Sequence, residues 1–315
     1  MAHIFGIGIA TLDIINTTDG YPQEDDEVRA VHQSLRRGGN VTNTLYVLRQ
    51  LGHECHWAGT LGDDSSSNII KSELQQQQID FSHCTVIAGG RAPTSYITLN
   101  QRNGSRTIVH FRDLAEYRFE NFHAAFCADE PHNMLNRASW LHVEGRNIRE
   151  TQKILDFVTR RYSQLTISIE IEKPRDQIEA LYTQGDVVFF SRHFATAMQH
   201  QNAPDFLRAW RSKCSAALLV CPWGAAGAYA IDQDNVLHHV NAVQIPQVVD
   251  TIGAGDTFNA GFIHASAAGL TLPERLHFAN ALAGKKCGQL GFDKLTENLP
   301  DDMRLEPTLQ LTRRP

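Results

Sequence analysis

The chain contains no run of apolar residues long enough to span a bilayer and no block of lysine or arginine. The first lack argues against a membrane protein. The second, with 29 Lys+Arg against 35 Asp+Glu and a formal net charge of −6, argues against a nucleic-acid or anionic membrane partner. Cysteine is sparse and scattered: Cys55, Cys84, Cys127, Cys214, Cys221 and Cys287 form no Cys-x-x-Cys pair. Free buried thiols in a reducing cytoplasm are the simplest expectation. The start, Met1-Ala2-His3-Ile4-Phe5, runs straight into a strand pattern, which argues against a signal peptide. Histidine, at 15 residues, is not scarce, and His53-Glu54-Cys55-His56 places metal-ligand types side by side. Its flanks read as a helix end followed by a strand, which puts these side chains on different faces, so no metal site is expected there.

An apolar fraction of 42% over 315 residues suffices for a substantial core. Residues 4–15 read as a buried first strand, residues 41–51 as a helix closed by Gly52, and 54–61 and 66–78 as a strand and a helix. Residues 95–99 and 106–111 alternate and are joined through Asn103-Gly104, a hairpin signal. Beyond them, strands over 140–143, 165–171, 187–190 and 217–221 alternate with helices over 149–162 and 272–284. Continuous apolar runs such as 187–190 belong to strands covered on both faces. The pattern predicts an α/β domain of three layers, with a mostly parallel sheet between helices. No internal repeat or linker divides it, so one domain over 1–315 is expected. The segment after Leu299, rich in proline and charge, is expected to be peripheral.

The chemistry concentrates in Asp250-Thr251-Ile252-Gly253-Ala254-Gly255-Asp256-Thr257-Phe258-Asn259-Ala260-Gly261-Phe262. Gly253, Ala254 and Gly255 stand between a strand-like pair, Val248-Val249, and a helix pattern opening at Thr257. Small residues let backbone N–H groups approach a ligand, and a helix N-terminus offers free donors and partial positive charge. That is an anion hole. Asp256 puts a carboxylate inside it, which is unfavourable unless the carboxylate takes a proton from a hydroxyl attacking a phosphoryl group. The whole string resembles the C-terminal signature of the ribokinase/phosphofructokinase-B family of sugar kinases. That resemblance implies a ribokinase-like fold, Asp256 as the catalytic base and the Gly253–Gly255 backbone as the anion hole.

Arg37-Gly38-Gly39-Asn40-Val41-Thr42-Asn43 resembles the family's other signature. Gly38 and Gly39 would let a sugar ring approach the backbone, while Asn40 and Asn43 can both donate and accept, as sugar hydroxyls require. Asp13, expected at the end of the first strand, can accept two hydrogen bonds from adjacent hydroxyls. Further blocks extend the resemblance to the ketohexokinase branch, from about residue 4 to about residue 295. They include Tyr21-Pro22-Gln23-Glu24-Asp25, Gly104-Ser105-Arg106-Thr107-Ile108, His142-Val143-Glu144-Gly145-Arg146-Asn147, Ile169-Glu170-Ile171-Glu172-Lys173-Pro174-Arg175 and Gly284-Lys285-Lys286-Cys287-Gly288.

This resemblance implies phosphorylation of a ketohexose by ATP with Mg2+, and leaves open a requirement for K+. It implies ketohexose contacts from Asp13, Gly38, Gly39, Asn40 and Asn43. A β lid over about 15–33 and 92–111 would pair two subunits and carry Asp25 into the partner's sugar pocket. Arg106 would contact ATP phosphates, Gly224 and Gly227 would form the adenosine loop, and Cys287 would line the adenine pocket. Val28, Val31, Ile97 and Leu99 are the apolar lid residues expected to need cover. Two segments depart from the pattern. Ser191-Arg192-His193-Phe194 replaces the Asn-x-x-Glu that organises magnesium in many relatives, leaving the metal ligands unassigned, with Glu170 and Glu172 as possible substitutes or as partners of Lys173 or Arg175. Gly224-Ala225-Ala226 lacks the acidic pair usual in the branch. A Rossmann dehydrogenase is disfavoured because Gly6-Ile7-Gly8 lacks its third glycine, Thr11 standing there. A catalytically silent sugar sensor is disfavoured by the intact Asp256 loop.

Overall fold

The computed structural model describes residues 1–127, 133–297, Leu299 and Met303; the segment after Leu299 otherwise lies outside the described residues. An eight-stranded sheet runs in the order Leu237–Val240, Ala228–Asp232, Leu218–Pro222, Val187–Phe190, Thr166–Ile171, Trp140–Glu144, His3–Ile7, Glu54–Ala58. Ala228–Asp232 pairs antiparallel with both of its neighbours, and all the other pairings are parallel. The inner strands are buried on both faces because helices cover both. Helix Ile148–Arg161 buries Ile148, Thr151, Ile154, Leu155 and Val158, the spacing of one helical face. Helices Asn40–Gln50, Ala254–Ala267 and Leu272–Cys287 pack into the other core layer. This is the three-layer α/β architecture expected. Among the described residues no helix is long and apolar enough to cross a membrane.

A second, four-stranded sheet stands apart from the first, in the order His32–Gly38, Thr11–Thr18, Thr94–Asn100, Arg106–Phe111. Here the expectation of one strand over 4–15 fails. The chain leaves the large sheet at Ile7 and enters the small one at Thr11. Ile9 donates its backbone N–H to Glu144 Oε2 at 3.0 Å between the two, an interruption that the β-branched run concealed. The strand over 54–61 likewise divides, at Gly59. Val248 and Val249 lie in no strand, and helix Ala254–Ala267 opens before Thr257.

The register of the small sheet sorts its faces. Ile15, Ile97 and Leu99 are buried with Ile252 on the inner face, so Ile97 and Leu99 do not need the cover expected for them. The outer face instead carries one row, Leu35, Ile14, Tyr96 and Val109, aligned across all four strands.

Candidate active site

The candidate residues gather at the carboxyl ends of the parallel strands, where open α/β sheets place ligands. Glu144 ends the strand Trp140–Glu144, and Glu170 and Glu172 lie at the end of Thr166–Ile171. Helix Ala254–Ala267 is entered through Gly253 at φ 77°, where a Cβ would lie 2.2 Å from the Phe292 ring. Glycine alone fits that turn. Gly255 and Asp256 therefore occupy the first turn, whose N–H groups have no acceptor within the helix. A Cβ on Gly255 would meet nothing within 4 Å, so the helix end faces open space. Partial positive charge and free donors make it suited to an anion.

Asp256 is buried, and its Oδ2 accepts from Asn43 Nδ2 at 2.8 Å. Asn43 Oδ1 in turn accepts from Arg37 Nη1 at 3.0 Å, and Arg37 is itself buried over the Tyr46 ring. Arg37 thereby fixes which end of the Asn43 amide faces Asp256. Burial pushes the Asp256 carboxyl well above its ordinary range, with Glu172 and Glu144 adding to the rise, against the pull of Asn43 and Arg37. A carboxylate raised toward neutrality is a stronger proton acceptor than an ordinary one.

Asp13 lies in the small sheet, buried, with Oδ1 accepting from Thr11 Oγ1 at 2.9 Å. Its carboxylate rests against Gly38, where a Cβ would fall 2.2 Å from Asp13 Oδ2. Gly39 has φ 105° and packs against Ile9 O, then opens helix Asn40–Gln50. The Asn40 amide donates to Glu170 Oε1 at 3.1 Å and to Glu172 Oε2 at 3.3 Å. Glu170 is pushed well above the carboxylate range by burial and then by Asp256, Glu172 and Glu144. Its Oε2 is buried without a hydrogen-bond partner. Glu144 accepts from Ile9 N and pairs with Arg146 Nε at 3.0 Å. Several carboxylates converge with one oxygen unsatisfied, a donor set of hard oxygens that fits a hydrated divalent cation. Ser191 is no ligand here: its Oγ caps helix Arg192–Ala197 and donates to the Glu172 carbonyl at 2.5 Å.

The anion-hole loop is anchored by a buried ion pair. Lys286 Nζ lies 3.0 Å from both the carbonyl and Oδ2 of Asp250, and both residues are fully buried. Arg36 Nη2 and the N–H groups of Ile252 and Gly291 also reach the Asp250 carboxylate. Burial alone would raise that carboxyl; Lys286 and Arg36 overcome it and hold it below the usual range.

Arg106 Nη1 donates to Thr251 Oγ1 at 2.7 Å, which brings the small sheet to the start of the loop. Cys287 is half-buried at the end of helix Leu272–Cys287, and its carbonyl accepts from Val249 N and Asp250 N. Gly224 and Gly227 form the turn after Leu218–Pro222. Asp25 is exposed, in the segment between Thr11–Thr18 and His32–Gly38, apart from the buried cluster. Sequence reasoning assigned no role to Arg37, Glu144, Asp250 or Lys286. A lysine on the apolar side of helix Leu272–Cys287 is the one local signal that could have found Lys286.

The profile of the pfkB family carbohydrate kinases matches residues 1–298. Ketohexokinase of Mus musculus is 37% identical over 298 residues, covering 92% of this chain and 97% of that protein. Fructosamine kinase FrlD of Bacillus subtilis is 22% identical over 260 residues, covering 81% of this chain and 84% of its own. Among solved structures, a ribokinase from Giardia lamblia superposes with TM-score 0.80 at 15% identity, over 97% of this chain and 98% of its own. Arabidopsis thaliana ribokinase complexed with ribose and ATP gives 0.71 at 18% identity, over 92% and 94%.

Proposed function

The chain belongs to the pfkB family of carbohydrate kinases, and on that footing we propose that it transfers a phosphoryl group from ATP to the 1-hydroxyl of a neutral ketohexose, with fructose preferred. The observation that carries this reading is the buried, proton-avid Asp256 in the first turn of a helix whose end is open. Asp256 takes the proton of the attacking hydroxyl, and the backbone of Gly253, Ala254 and Gly255 holds the oxygens of the moving group. Asp13, Gly38, Gly39, Asn40 and Asn43 bind the sugar. Arg106 reaches the phosphates of ATP, and Gly224, Gly227 and Cys287 flank its nucleoside. Glu170 and Glu172 would hold Mg2+, which would neutralise charge on the phosphates.

Substrate choice follows from which charges are free. Arg36 and Arg37 stand near the sugar side, yet Arg36 is committed to Asp250 and Arg37 to Asn43. A phosphosugar would bring a dianion beside Asp13, where both of these guanidiniums already hold other partners. A ligand without hydroxyls would strand the buried acceptors at about 1–3 kcal/mol each. The identity to mouse ketohexokinase supports a ketohexose. The test is NMR of the product of fructose and ATP, with tagatose, sorbose, ribose and fructose 6-phosphate as competitors. Phosphate on O1 and poor use of the phosphosugar are expected. Phosphate on O6, or preference for the phosphosugar, would overturn the assignment.

We further propose that two chains pair through the outer face of the small sheet. Leu35, Tyr96 and Val109 in its apolar row are 48%, 51% and 66% exposed. A contiguous apolar stripe on a sheet face calls for a covering surface. Pairing would place the exposed Asp25 at the neighbouring subunit's sugar site. Sedimentation should give a dimer at micromolar concentration, and Tyr96→Glu with Val109→Lys should give a folded monomer of lower activity. A fully active monomeric native chain would refute the pairing.

A further inference from the structure

At the opposite end of the same strands, away from the anion hole, the geometry points to a binding site for a divalent transition-metal ion of the zinc class, formed by His3, Glu54 and His56. The sequence expectation was that residues 53–56 scatter over different faces, and for His53 and Cys55 that holds. His53 is engaged by Ala2 N and by His264 at 2.8 Å, and Cys55 lies in the core. Glu54 and His56, two residues apart, share the other face of the edge strand. The parallel neighbour His3–Ile7 pairs His3 with Glu54 and Phe5 with His56, so His3 rises on that same face. No local sequence pattern brings residue 3 to residues 54 and 56; the sheet register does.

The distances suit one ion. His3 Nδ1 lies 3.2 Å from Glu54 Oε2, and His56 Nε2 lies 3.4 Å from Glu54 Oε1. One donor atom from each of the three residues falls within 4.8 Å of the others. Zinc bonds of about 2.0–2.2 Å put neighbouring tetrahedral ligand atoms roughly 3.3–3.6 Å apart. The His56 side chain is only 5% exposed, and both its Nε2 and His3 Nδ1 are buried without a hydrogen-bond partner of acceptable geometry. Behind the ring, Asp80 Oδ2 sits 3.2 Å from His56 Nδ1. Asp80 is held in turn by Ser82 N at 2.9 Å and Ser82 Oγ at 3.1 Å. A carboxylate that accepts a hydrogen bond from Nδ1–H leaves the Nε2 lone pair aimed at the cluster, the arrangement that orients a metal-bound histidine. Imidazole with a carboxylate is a ligand set for zinc and its neighbours rather than for magnesium or calcium. Glu54 is 35% exposed, so water can complete the coordination. Arg137 Nη2, at 4.0 Å from Glu54 Oε2, is the nearby competing cation, and it is more than half exposed. A bound ion would fasten the edge strand Glu54–Ala58 to its neighbour and, through Asp80, to the loop after helix Ser65–Gln76.

The competing arrangement is a protonated His56 held between Glu54 and Asp80 with no ion. Isothermal titration of the chelator-stripped full chain with zinc chloride at pH 7.5 separates the two, with cobalt absorption reporting ligand type. One site per chain is expected, with a cobalt spectrum free of thiolate bands and a zinc-dependent rise in melting temperature. His3→Gln and His56→Gln should each weaken that site at least tenfold and abolish the rise, while the exposed Cys127→Ser changes neither. His3 begins its strand and is partly exposed, so His3→Gln decides the matter even where His56→Gln folds poorly. No zinc bound at this pH, or equal binding by the native chain and His3→Gln, overturns the site.

Discussion

The Asp256→Asn chain is expected to lose roughly 10²–10⁴ of its turnover while its affinity for sugar moves little. The amide keeps the shape of the carboxylate and cannot accept the proton. As the proposed base, native Asp256 must be ionised, and its carboxyl is pushed up to about 7. Activity of the native chain should therefore rise as pH climbs through that region and be lost below it, whereas the residual activity of Asp256→Asn should lack this limb. Stability should move the opposite way. The carboxyl is raised on folding, so the ionised form costs the native state. That cost is absent below the unfolded pKa near 4, grows as pH rises, and is constant above the folded value. Replacing the carboxylate removes it, so Asp256→Asn should melt higher than the native chain at pH 8 and about equally at pH 4. Thermal denaturation at the two pH values, beside a coupled ADP assay, tests both halves. A variant that keeps native turnover removes Asp256 from the chemistry; one that is no more stable at pH 8 removes the claim of stored electrostatic cost.

Lys286→Met should be nearly as severe, by another route. The substitution leaves the Asp250 carboxylate buried without its ammonium partner, an error worth about 3–5 kcal/mol. Asp250 holds the N–H of Ile252 and the loop that leads to Gly253, so slackness there spoils the anion hole. Turnover should fall more than tenfold, with the melting temperature lowered as well. The double variant Lys286→Met/Asp250→Asn separates the effects. Removing both charges should return part of the stability, because the buried carboxylate is gone and only Arg36, which reaches solvent, loses its partner, and little of the activity, because the loop loses its ionic anchor. If the double variant is no more stable than Lys286→Met, the pair does not act as a unit.

The sequence made the layered α/β fold legible because inner strands and amphipathic helices write their burial into local periodicity. It made the Asp256 loop legible because its glycines and carboxylate are consecutive. What it hid were relations set by register and by distant packing. Residues 4–15 read as one strand since β-branched residues suit either sheet, and only the tertiary contact of Ile9 N with Glu144 shows where the chain changes sheets. Ile97 and Leu99 alternate as exposed strand residues would, and Ile252, far along the chain, is what buries them. The Arg37, Asn43 and Asp256 chain of hydrogen bonds spans two helices and a strand. Asn43 is visible in the sequence as a polar residue after a glycine pair, but its partners are not.

All four strands of the small sheet join the rest of the chain along one line. Thr11 pairs with Gly38 and Thr94 with Phe111 there, each at the start or end of its strand, and at the opposite end Arg106 reaches the loop at Thr251. Tilted about that line, the sheet would act as a lever. At about 3.3 Å per residue, a seven-residue strand such as Thr94–Asn100 gives an arm of roughly 20 Å. A tilt of about 10° then displaces the far end by roughly 3–4 Å, enough to part Arg106 from Thr251, while Asp13, two residues from the fulcrum, travels about 1 Å. The end that carries Asp13 would stay nearly still, and the end that carries Arg106 would swing. A small rotation of the sheet would thus part Arg106 from Thr251 while leaving Asp13 beside Gly38.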